Sequence, residues 1–443
     1  MSVPAQIALA FGSVAVLLGL MALVRVTALR WGLGGEVQRK LVHVGTGLYA
    51  LSFPWIFPDR WPVYMLTGLA LAVMVALRLP RLSGRLGQTL HGVGRRSYGD
   101  FLLALSVGLC FFLSEGVALF YVLPIAVLTI SDAAAALAGI HYGTRRFKVE
   151  DGIKSIEGTV VFFVVTLLVA LICLMFLSDL PPPNILALAV MIAAFGTLVE
   201  AQSWRGFDNL FLPLALLVFL VVHSQSGLGD LLGLAGLFFA SIIGFRAVGP
   251  RFGLSDHAAR VYVVAVFMIL SVVEIQNAIL PGLVLLAHAW CSLRSPGEDD
   301  YGELDVVAAL AIFSFGWLAV GTATGWNAVQ FYGLTAIGMV MGLCTLALGR
   351  RLLWVPAIAL VLMAVRFGVT SVNPPDAVWA EPMWLLAVAC LLIPSVAAGL
   401  APRWLMQDRV LKLTVLSVLP PLGYYAALLM AGGAFQATER MAL

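Results

Sequence analysis

The chain has 443 residues, of which 61% are hydrophobic and only 11% are charged. A soluble protein of this length would carry about twice that share of charged residues, so the composition predicts an integral membrane protein. The formal net charge is +3. No basic run is interleaved with aromatic residues, so we expect membrane lipids and no nucleic acid among the partners.

Windows of about 20 residues predict an all-α, polytopic membrane protein with roughly sixteen transmembrane helices. The amino-terminal apolar segment lacks a preceding basic region and a small-residue cleavage site, and is expected to be a retained span. The predicted spans lie near 4–24, 41–57, 62–79, 101–114, 117–140, 160–178, 184–202, 210–223, 228–246, 261–276, 278–293, 305–320, 327–348, 352–369, 382–400 and 410–431.

The basic residues fall in alternate loops of this arrangement. Of the 26 lysines and arginines, only Arg60, Arg366 and Arg440 lie elsewhere. The positive-inside rule assigns the basic loops to the cytoplasm. It therefore predicts that both termini face away from the cytoplasm.

The five cysteines are scattered through apolar segments without CxxC spacing. They are interpreted as small hydrophobic residues and indicate neither a disulfide framework nor a metal site.

The most informative stretch is SDAAAALAGIHYGTRRFKVEDGIKSIEGT, residues 131–159. Asp132 lies in a hydrophobic run, where a charge costs about 3 kcal/mol on insertion scales and requires a partner or a wet cavity. The small residues that follow it allow another helix or a ligand to approach closely. The stretch ends in a loop that concentrates charged and hydroxyl side chains within six positions.

This loop has the chemistry of a metal and phosphate site. Lysine offers a point charge to phosphate, and hydroxyls and backbone amides at a helix start donate to anionic oxygens. Mg²⁺ prefers hard oxygen ligands shared with phosphates, which Asp132, Glu157 or both would supply. The alternative is a solvated loop beside a structural intramembrane ion pair. The candidate phosphate-binding residues here are Lys154, Ser155, Gly158 and Thr159.

Three other predicted cytoplasmic segments carry polar residues. In QRKLVH, Arg39 and His43 are i,i+4 neighbours that share a face with Lys40, so all three can point at one anion. The alternative is a positive-inside anchor followed by a helix-interior histidine. In RRSYGD, residues 95–100, the arginines cover phosphates or, as the favoured interpretation, anchor the loop to anionic lipids.

The segment EAQSWRGFDNLFLP, residues 200–213, adds two carboxylates and an amide. Glu200 ends one predicted span, and Asp208 and Asn209 open the next, where an ordinary N-cap is the alternative interpretation. With the loop at 154–159, these residues match the needs of Mg²⁺-assisted phosphoryl transfer. No Walker A, HRD or DFG motif is present.

These blocks together resemble the polyprenol kinase family of dolichol, phytol and farnesol kinases, which is related to CTP-dependent phosphatidate cytidylyltransferases. The resemblance rests on RKLVH at 39–43, SDAAAALAGIHYG at 131–143, KSIEGT at 154–159, and EA with DNLFLP at 200–213. It extends over about residues 36–224. It implies a CTP-dependent, Mg²⁺-assisted kinase that phosphorylates the terminal hydroxyl of an isoprenoid alcohol in the bilayer at the cytoplasmic membrane face.

Within that resemblance we assign roles as a hypothesis. Lys40, His43 and Lys154 bind CTP phosphates, together with the residues at 155–159. Asp132 and Glu157 hold Mg²⁺. Asp208 or Glu200 orients or deprotonates the alcohol, and Lys154 completes the catalytic set.

Two departures from the phytol kinase pattern favour the dolichol kinase and cytidylyltransferase side. The chain has Ser131 and Asp132 where phytol kinases tend to have DG, and KSIEGT in place of KSxAGS. It lacks the KD, PGHGG and DR block of phosphatidate cytidylyltransferases, which favours a kinase. A cytidylyltransferase acting on a phosphorylated lipid is the alternative, and a lipid or solute transporter ranks third because no internal repeat is evident.

The predicted domains are a kinase-like membrane domain at 1–224 and a second helical membrane domain of unknown function at 225–443. In the second, the group SDHAAR at 255–260 and the acidic loop 298–305 raise the possibility of another active site. A helix cap at Ser255 or Asp256 and a solvated loop are the favoured interpretation.

Overall fold

The computed structural model describes residues 1–78, 99–149, 152–204, 206–252, 254–299, 301–325, 328–373 and 383–430. By its internal contacts the chain divides into two compact units, Met1–Leu237 and Phe238–Leu443. The predicted domain boundary at residue 224 lies in the connection before the helix in which this division falls. The functional roles assigned to the two domains stay predictions.

The first unit is mostly helical over its described residues. Its helices are α1 (Val3–Trp31), α2 (Gly35–Leu51), α3 (Phe53–Ile56), α4 (Trp61–Arg78), α5 (Gly99–Leu113), α6 (Ala118–Ala126), α7 (Asp132–Tyr142), α8 (Ile156–Leu177), α9 (Pro182–Ala201), α10 (Asp208–His223) and α11 (Leu228–Val248), the last of which contains the division.

The second unit is likewise helical over its described residues. It contains α12 (Asp256–Val272), α13 (Ile275–Arg294), α14 (Gly302–Thr324), α15 (Val329–Leu348), α16 (Val355–Val372), α17 (Trp384–Leu400) and α18 (Arg409–Met430). Short 3-10 turns at Gly249–Phe252 and Leu352–Trp354 precede α12 and α16.

The helices present apolar surface outward, as lipid-facing helices do. In α8, Val160, Val164, Leu168 and Ile172 are exposed and follow one another at i,i+4 spacing. In water such a stripe would be polar. Ten helices are long and apolar enough to cross a membrane, and four shorter ones are also apolar, within the described part of the chain. The protein is an all-α polytopic membrane protein, as predicted.

Each of the sixteen predicted spans overlaps at least one helix of the structure. The span at 41–57 corresponds to α2 with α3, and the span at 261–276 corresponds to α12. Neither α2 nor α12 is among the fourteen apolar helices. The number of crossings and the side on which the termini lie stay predictions.

Two local structures interrupt the helices at the most informative stretch. Residues Arg146–Val149 (β1) and Gly152–Ser155 (β2) form an antiparallel hairpin in which Phe147 is paired with Lys154. A π-helical turn, Val127–Ser131, joins α6 to α7 directly before Asp132. The sequence predicted a loop where the hairpin lies and a regular span where the π-helical turn lies.

Small residues bring α7 and α8 close together. A Cβ atom added at Gly158 would lie 2.8 Å from the carbonyl oxygen of Ala135, and one added at Gly139 would lie 2.9 Å from Oγ of Ser155. Such distances leave no room for a side chain at either glycine. The small residues after Asp132 therefore admit a helix, which was one of the two expected uses.

Arg60, an exception to the basic-loop pattern, has a structural role. Its guanidinium donates hydrogen bonds to the carbonyl oxygens of Phe111 (3.3 Å) and Phe112 (2.6 Å) at the end of α5. Cations are favoured at the carboxyl end of a helix because the last carbonyls lack partners. Arg366 is buried in α16, and Arg440 lies outside the described residues.

Two polar side chains of the second unit accept hydrogen bonds from backbone nitrogens at helix starts. Ser255 accepts a hydrogen bond from the backbone nitrogen of Ala258 at 3.1 Å. Asp299 accepts from the backbone nitrogens of Asp408 (2.7 Å) and Arg409 (3.1 Å) at the start of α18. The favoured interpretation, a helix cap at residue 255, is what the structure shows. Asp300 lies outside the described residues.

Candidate functional site

A buried ion pair joins α2 to the start of α7. Nζ of Lys40 lies 2.6 Å from Oδ2 of Asp132, and both side chains are less than a tenth exposed. Nε2 of His43 lies 3.5 Å from the same oxygen. A carboxylate within a hydrophobic run requires a partner, and the residues of RKLVH supply it. The predicted anion-binding group of α2 thus contacts the predicted metal ligand.

The π-helical turn shapes this part of the site. Nε2 of His43 lies 3.0 Å from the carbonyl oxygen of Leu128, which belongs to the turn. Gly47 of α2 allows close contact, since a Cβ there would clash with the side chain of Thr129. Single π-helical turns are frequent at functional sites. Here the residue that follows is Asp132.

A second pair joins the hairpin to the end of α9. Nζ of Lys154 donates to Oε1 of Glu200 at 2.7 Å, to Oγ of Ser203 at 2.8 Å and to the carbonyl oxygen of Glu200. An ammonium group has three donors and no acceptor, so these partners use all three. The arrangement makes Glu200 the counterion of Lys154. The predicted role of Glu200, to orient or deprotonate the alcohol as the alternative to Asp208, stays a prediction.

The residues after Lys154 form the amino-terminal cap of α8. Oγ of Ser155 accepts a hydrogen bond from the backbone nitrogen of Gly158 at 3.0 Å. The hydroxyl of Thr159 donates to the carbonyl oxygen of Ser155 at 3.0 Å. This is an ordinary N-cap. The amide of Gly158, expected to donate to an anion, is directed to Ser155 in this structure.

Glu157 lies in the first turn of α8 and ties it to the chain before the hairpin. Its Oε1 accepts from the hydroxyl of Thr144 at 2.5 Å and from the backbone nitrogen of Arg145 at 3.0 Å. The side chain is partly exposed. Within the described part of the chain no contact joins Glu157 to Asp132, so the two expected Mg²⁺ ligands are not brought into one cluster.

The start of α10 holds Asp208 and Asn209, and neither side chain caps the helix. Nδ2 of Asn209 donates instead to the carbonyl oxygen of Gly99 at 3.0 Å, which fixes α10 to the start of α5. Asp208 is half-buried in the first turn, where a negative charge is favoured. The described residues give its carboxylate no hydrogen bond, whereas the carboxylates of Asp132, Glu157 and Glu200 each accept at least one.

The two ion pairs lie near each other. Asp132 interacts electrostatically with Lys154 as well as with Lys40 and His43. Asp132 begins α7, Lys154 directly precedes the cap of α8, and Glu200 lies at the end of α9. The structure therefore brings Lys40, His43, Asp132, Lys154 and Glu200 together, and no ion pair or hydrogen bond among the described residues joins Asp208 to them.

The residues fit a shared Mg²⁺ better than a protein-only metal site. In the described chain no group of three or more His, Cys, Asp or Glu residues is placed to hold a metal ion. Mg²⁺ at phosphoryl-transfer sites commonly takes one or two carboxylates and the phosphates of the substrate. Asp132 suits this use, since Oδ2 contacts Lys40 and no described residue donates a hydrogen bond to Oδ1.

Three contributors escaped the sequence analysis: the π-helical turn, Ser203 and Thr144. Ser203 lies three residues after Glu200 in the segment EAQS. Its position near a helix end was the only sequence feature that could have indicated its role. The pairing of β1 with β2 could not be predicted from the sequence, because strands of four residues are too short to show a clear pattern. The predicted phosphate-covering or lipid-anchoring arginines of the 95–100 loop, Arg95 and Arg96, lie outside the described residues.

The fold and these paired charges define a polytopic membrane protein with a polar site at its helix ends. Over 183 residues, which are 40% of this chain and 76% of the relative, the sequence is 35% identical to a phytol kinase of Synechocystis sp.. The chain belongs to the polyprenol kinase family. It is a lipid kinase, an enzyme that transfers a phosphate to the hydroxyl group of an alcohol.

No profile of a known protein family matches the chain. No solved structure matches it either. The relative is a phytol kinase. In this chain, however, Ser131, Asp132 and KSIEGT differ from the residues that phytol kinases tend to have at these positions.

Proposed function

We propose that the protein transfers the γ-phosphate of CTP to the terminal hydroxyl of an isoprenoid alcohol, with Mg²⁺, at the cytoplasmic membrane face. The observation that supports it most is the pairing of Lys154 with Glu200 beside the pair of Lys40 with Asp132, in a relative of a phytol kinase. Phytol, farnesol, geranylgeraniol and dolichol are the substrate types that this proposal includes.

The two lysines supply the positive charge that a nucleotide needs. Each is held by a carboxylate, so the site is close to neutral before the nucleotide enters. Nζ of Lys154 exchanges one of its three acceptors for a phosphate oxygen, and Ser203 is the neutral acceptor that is released most readily. Charge neutralisation and positioning carry most of the catalysis in phosphoryl transfer.

The chemical step is an in-line displacement. The hydroxyl oxygen of the alcohol attacks the γ-phosphorus, the bond from that phosphorus to the β-phosphate oxygen breaks, and CDP leaves with the electron pair. The hydroxyl proton passes to Asp208, whose carboxylate has no hydrogen-bond donor among the described residues. Glu200 holds Lys154 in position. In this proposal it is not the base, although that role was one of the two predicted for it.

Mg²⁺ neutralises charge on the transferred phosphate when it is bound. Asp132 is the residue proposed to hold it, with phosphate oxygens as the remaining ligands, and Glu157 stays the second predicted ligand although the structure does not cluster it with Asp132. Asp132 is the better placed of the two, since Glu157 already accepts hydrogen bonds from Thr144 and Arg145. The contact with Lys40 fixes the orientation of Asp132.

The proposed membrane side follows from the basic loops. The lysines of the site belong to segments whose arginines and lysines the positive-inside rule assigns to the cytoplasm, where CTP is present. The isoprenoid tail would lie among the apolar helices of the first 224 residues, and residues 225–443 would form a second domain. Tail burial gains little, because lipid is as apolar as the protein.

The experiment uses the purified full chain in mixed micelles with Mg²⁺ and γ-labelled CTP or γ-labelled ATP. The alcohols are phytol, farnesol, geranylgeraniol and a long polyprenol. Label in the lipid with CTP, and little with ATP, is the expected result. Lys154→Ala is expected to abolish transfer, whereas the exposed Arg403→Gln is expected to retain it.

A parallel reaction with α-labelled CTP and phosphatidate or a prenyl phosphate tests the cytidylyltransferase alternative. Label from the α-position in the lipid, without transfer of the γ-label to any alcohol, would replace the proposed function with nucleotidyl transfer. Transfer from ATP in preference to CTP would retain the kinase and contradict the proposed donor.

A further inference from the structure

The hairpin that carries Lys154 has almost no buried surface of its own. In its two described strands, no residue of β1 is buried, and in β2 only Ser155 is. A single two-stranded hairpin is marginally stable at best in water and needs further strands or a helix to pack against. The position of Lys154 therefore depends on the contacts that hold the hairpin to the helices.

The base of the hairpin is closed by backbone pairing and by one side chain. The backbone nitrogen of Ile156 donates to the carbonyl oxygen of Arg145 at 2.9 Å, which continues the pairing of the two strands. Beside it, Oε1 of Glu157 accepts hydrogen bonds from the hydroxyl of Thr144 at 2.5 Å and from the backbone nitrogen of Arg145 at 3.0 Å. Glu157 thus joins the first turn of α8 to the chain that enters β1.

A carboxylate suits this closure. Oε2 of Glu157 also accepts from the backbone nitrogen of Arg145, at 3.3 Å, so both oxygens take part. Hydrogen bonds to an ionised acceptor are stronger than those between neutral groups. A negative charge is also favoured in the first turn of a helix. The contacts of Glu157 are therefore those of a residue that fixes the chain on both sides of the hairpin.

Lys154 lies between this closure and the end of α9. It precedes Glu157 by three residues, and its Nζ donates to Oε1 of Glu200 and Oγ of Ser203. The stem of a lysine side chain is flexible. The ammonium group therefore returns to one position only when the backbone that carries it is fixed.

We propose that Glu157 is a positioning residue: its carboxylate closes the hairpin through Thr144 and the backbone of Arg145, and thereby holds Lys154 where it meets the phosphates of the nucleotide. Thr144 serves the same closure as the donor. The inference rests on the proposed function, in which Lys154 binds the nucleotide. It differs from the predicted role of Glu157 as a Mg²⁺ ligand, and the two roles give different results in the experiment.

The experiment compares Thr144→Val and Glu157→Ala in the purified full chain in mixed micelles with Mg²⁺, γ-labelled CTP and an isoprenoid alcohol. Thr144→Val removes the hydroxyl but leaves the carboxylate in place for a metal ion. Each change is expected to raise KM for the nucleotide by about threefold to tenfold. The KM for the alcohol and the Mg²⁺ concentration at half-maximal rate are expected to stay unchanged. Thr144→Ser keeps the hydroxyl and is expected to retain the KM of the parent protein.

A double variant and a matched control complete the kinetic comparison. Thr144→Val combined with Glu157→Ala is expected to raise KM no further than Glu157→Ala alone, because both changes remove the same contact. Thr322→Val is the control, since that hydroxyl donates to the carbonyl oxygen of Leu318 at 3.0 Å within α14 of the second unit. It is expected to leave KM unchanged.

Hydrogen–deuterium exchange of the segment 144–157 measures the closure without catalysis. Faster exchange there in Thr144→Val and Glu157→Ala, with exchange in the rest of α8 unchanged, is expected because the base of the hairpin opens locally. Circular dichroism establishes that each variant is folded, and Thr144→Val carries the comparison if Glu157→Ala does not fold.

Three results would overturn the proposal. The first is unchanged exchange or an unchanged KM for the nucleotide in the folded variants of an active parent protein. The second is a higher Mg²⁺ requirement in Glu157→Ala that Thr144→Val does not share, which would identify Glu157 as a metal ligand. The third is a parent protein that transfers no phosphate, which overturns the positioning role together with the proposed function.

Discussion

Nζ of Lys40 and Oδ2 of Asp132 lie 2.6 Å apart although the residues are separated by 92 positions in the sequence. The contact joins two of the blocks on which the resemblance to polyprenol kinases rests. Because both side chains are buried, removal of one partner leaves an uncompensated charge, and such a change is costly. This pair is therefore both a structural link and part of the candidate site.

The first prediction separates those two roles by a double-mutant cycle. Asp132→Asn and Lys40→Met are each expected to lower the free energy of unfolding by about 3–5 kcal/mol, and the double variant by less than their sum. The measurement is reversible unfolding in mixed micelles. Kinase activity is expected to be lost in all three variants. A double variant that regained activity along with stability would show that the pair is only structural.

The second prediction concerns Glu200 and Asp208, the two carboxylates considered for the alcohol. Asp208→Asn is expected to lower kcat by about a hundredfold to ten-thousandfold, as expected for the loss of a general base. Glu200→Gln removes the counterion of Lys154 but keeps an amide oxygen at the Oε1 position. Its main expected effect is therefore a change in KM for the nucleotide.

Steady-state kinetics with the nucleotide and the alcohol varied separately distinguish these effects. The reverse outcome, a large loss of kcat in Glu200→Gln and a small one in Asp208→Asn, would exchange the two roles. Arg403→Gln serves as the control for the substitution procedure, because that side chain is exposed and lies in the second unit.

The sequence predicted the helices well because the length of apolar runs is a direct consequence of membrane thickness. It also predicted that the polar segments near 40, 132, 154 and 200 face one site, since alternating helices return the chain to the same end, and the structure joins them in two ion pairs. The place of Asp208 in that site stays a prediction. It did not predict which charges would pair. Lys154 pairs with Glu200, whereas the sequence suggested that it would be available to bind phosphate. The pairing depends on the position that a hairpin of two four-residue strands gives to Lys154.

The π-helical turn before Asp132 was also beyond the sequence. Its residues, Val127–Ser131, are as apolar as a regular span, and an additional residue in one turn leaves no trace in hydropathy. Asn209 shows a related difficulty: at the start of α10 it resembles an N-cap, but tertiary contact directs its amide to Gly99. Local propensity was outweighed by packing in both places.

The third prediction uses two serines with the same local role. Ser155 caps α8 and Ser255 caps α12, each through a backbone amide three residues later. Either serine-to-alanine change is expected to cost about 1 kcal/mol of stability. If Ser155 also contacts the nucleotide, Ser155→Ala raises KM for the nucleotide and Ser255→Ala does not. Equal KM values in both variants would restrict Ser155 to the capping role.

The fourth prediction tests the close packing of α7 and α8. Gly158→Ala places a Cβ 2.8 Å from the carbonyl oxygen of Ala135, so the helices must separate. The expected loss of stability is about 1–3 kcal/mol. Since α8 begins directly after Lys154 and α7 begins at Asp132, the separation also displaces the two ion pairs, and kinase activity is expected to fall.

Gly19→Ala is the matched control for that change, because no atom lies within 4 Å of the position its Cβ would take in α1. It is expected to be neutral or to stabilise the protein by up to about 1 kcal/mol, as an alanine in an open helical position does. Thermal unfolding and kinase rates are measured for both variants under the same conditions. If Gly158→Ala were as stable and as active as Gly19→Ala, α7 could move away from α8 without disturbing the site, and the geometry of the ion pairs would not depend on this contact.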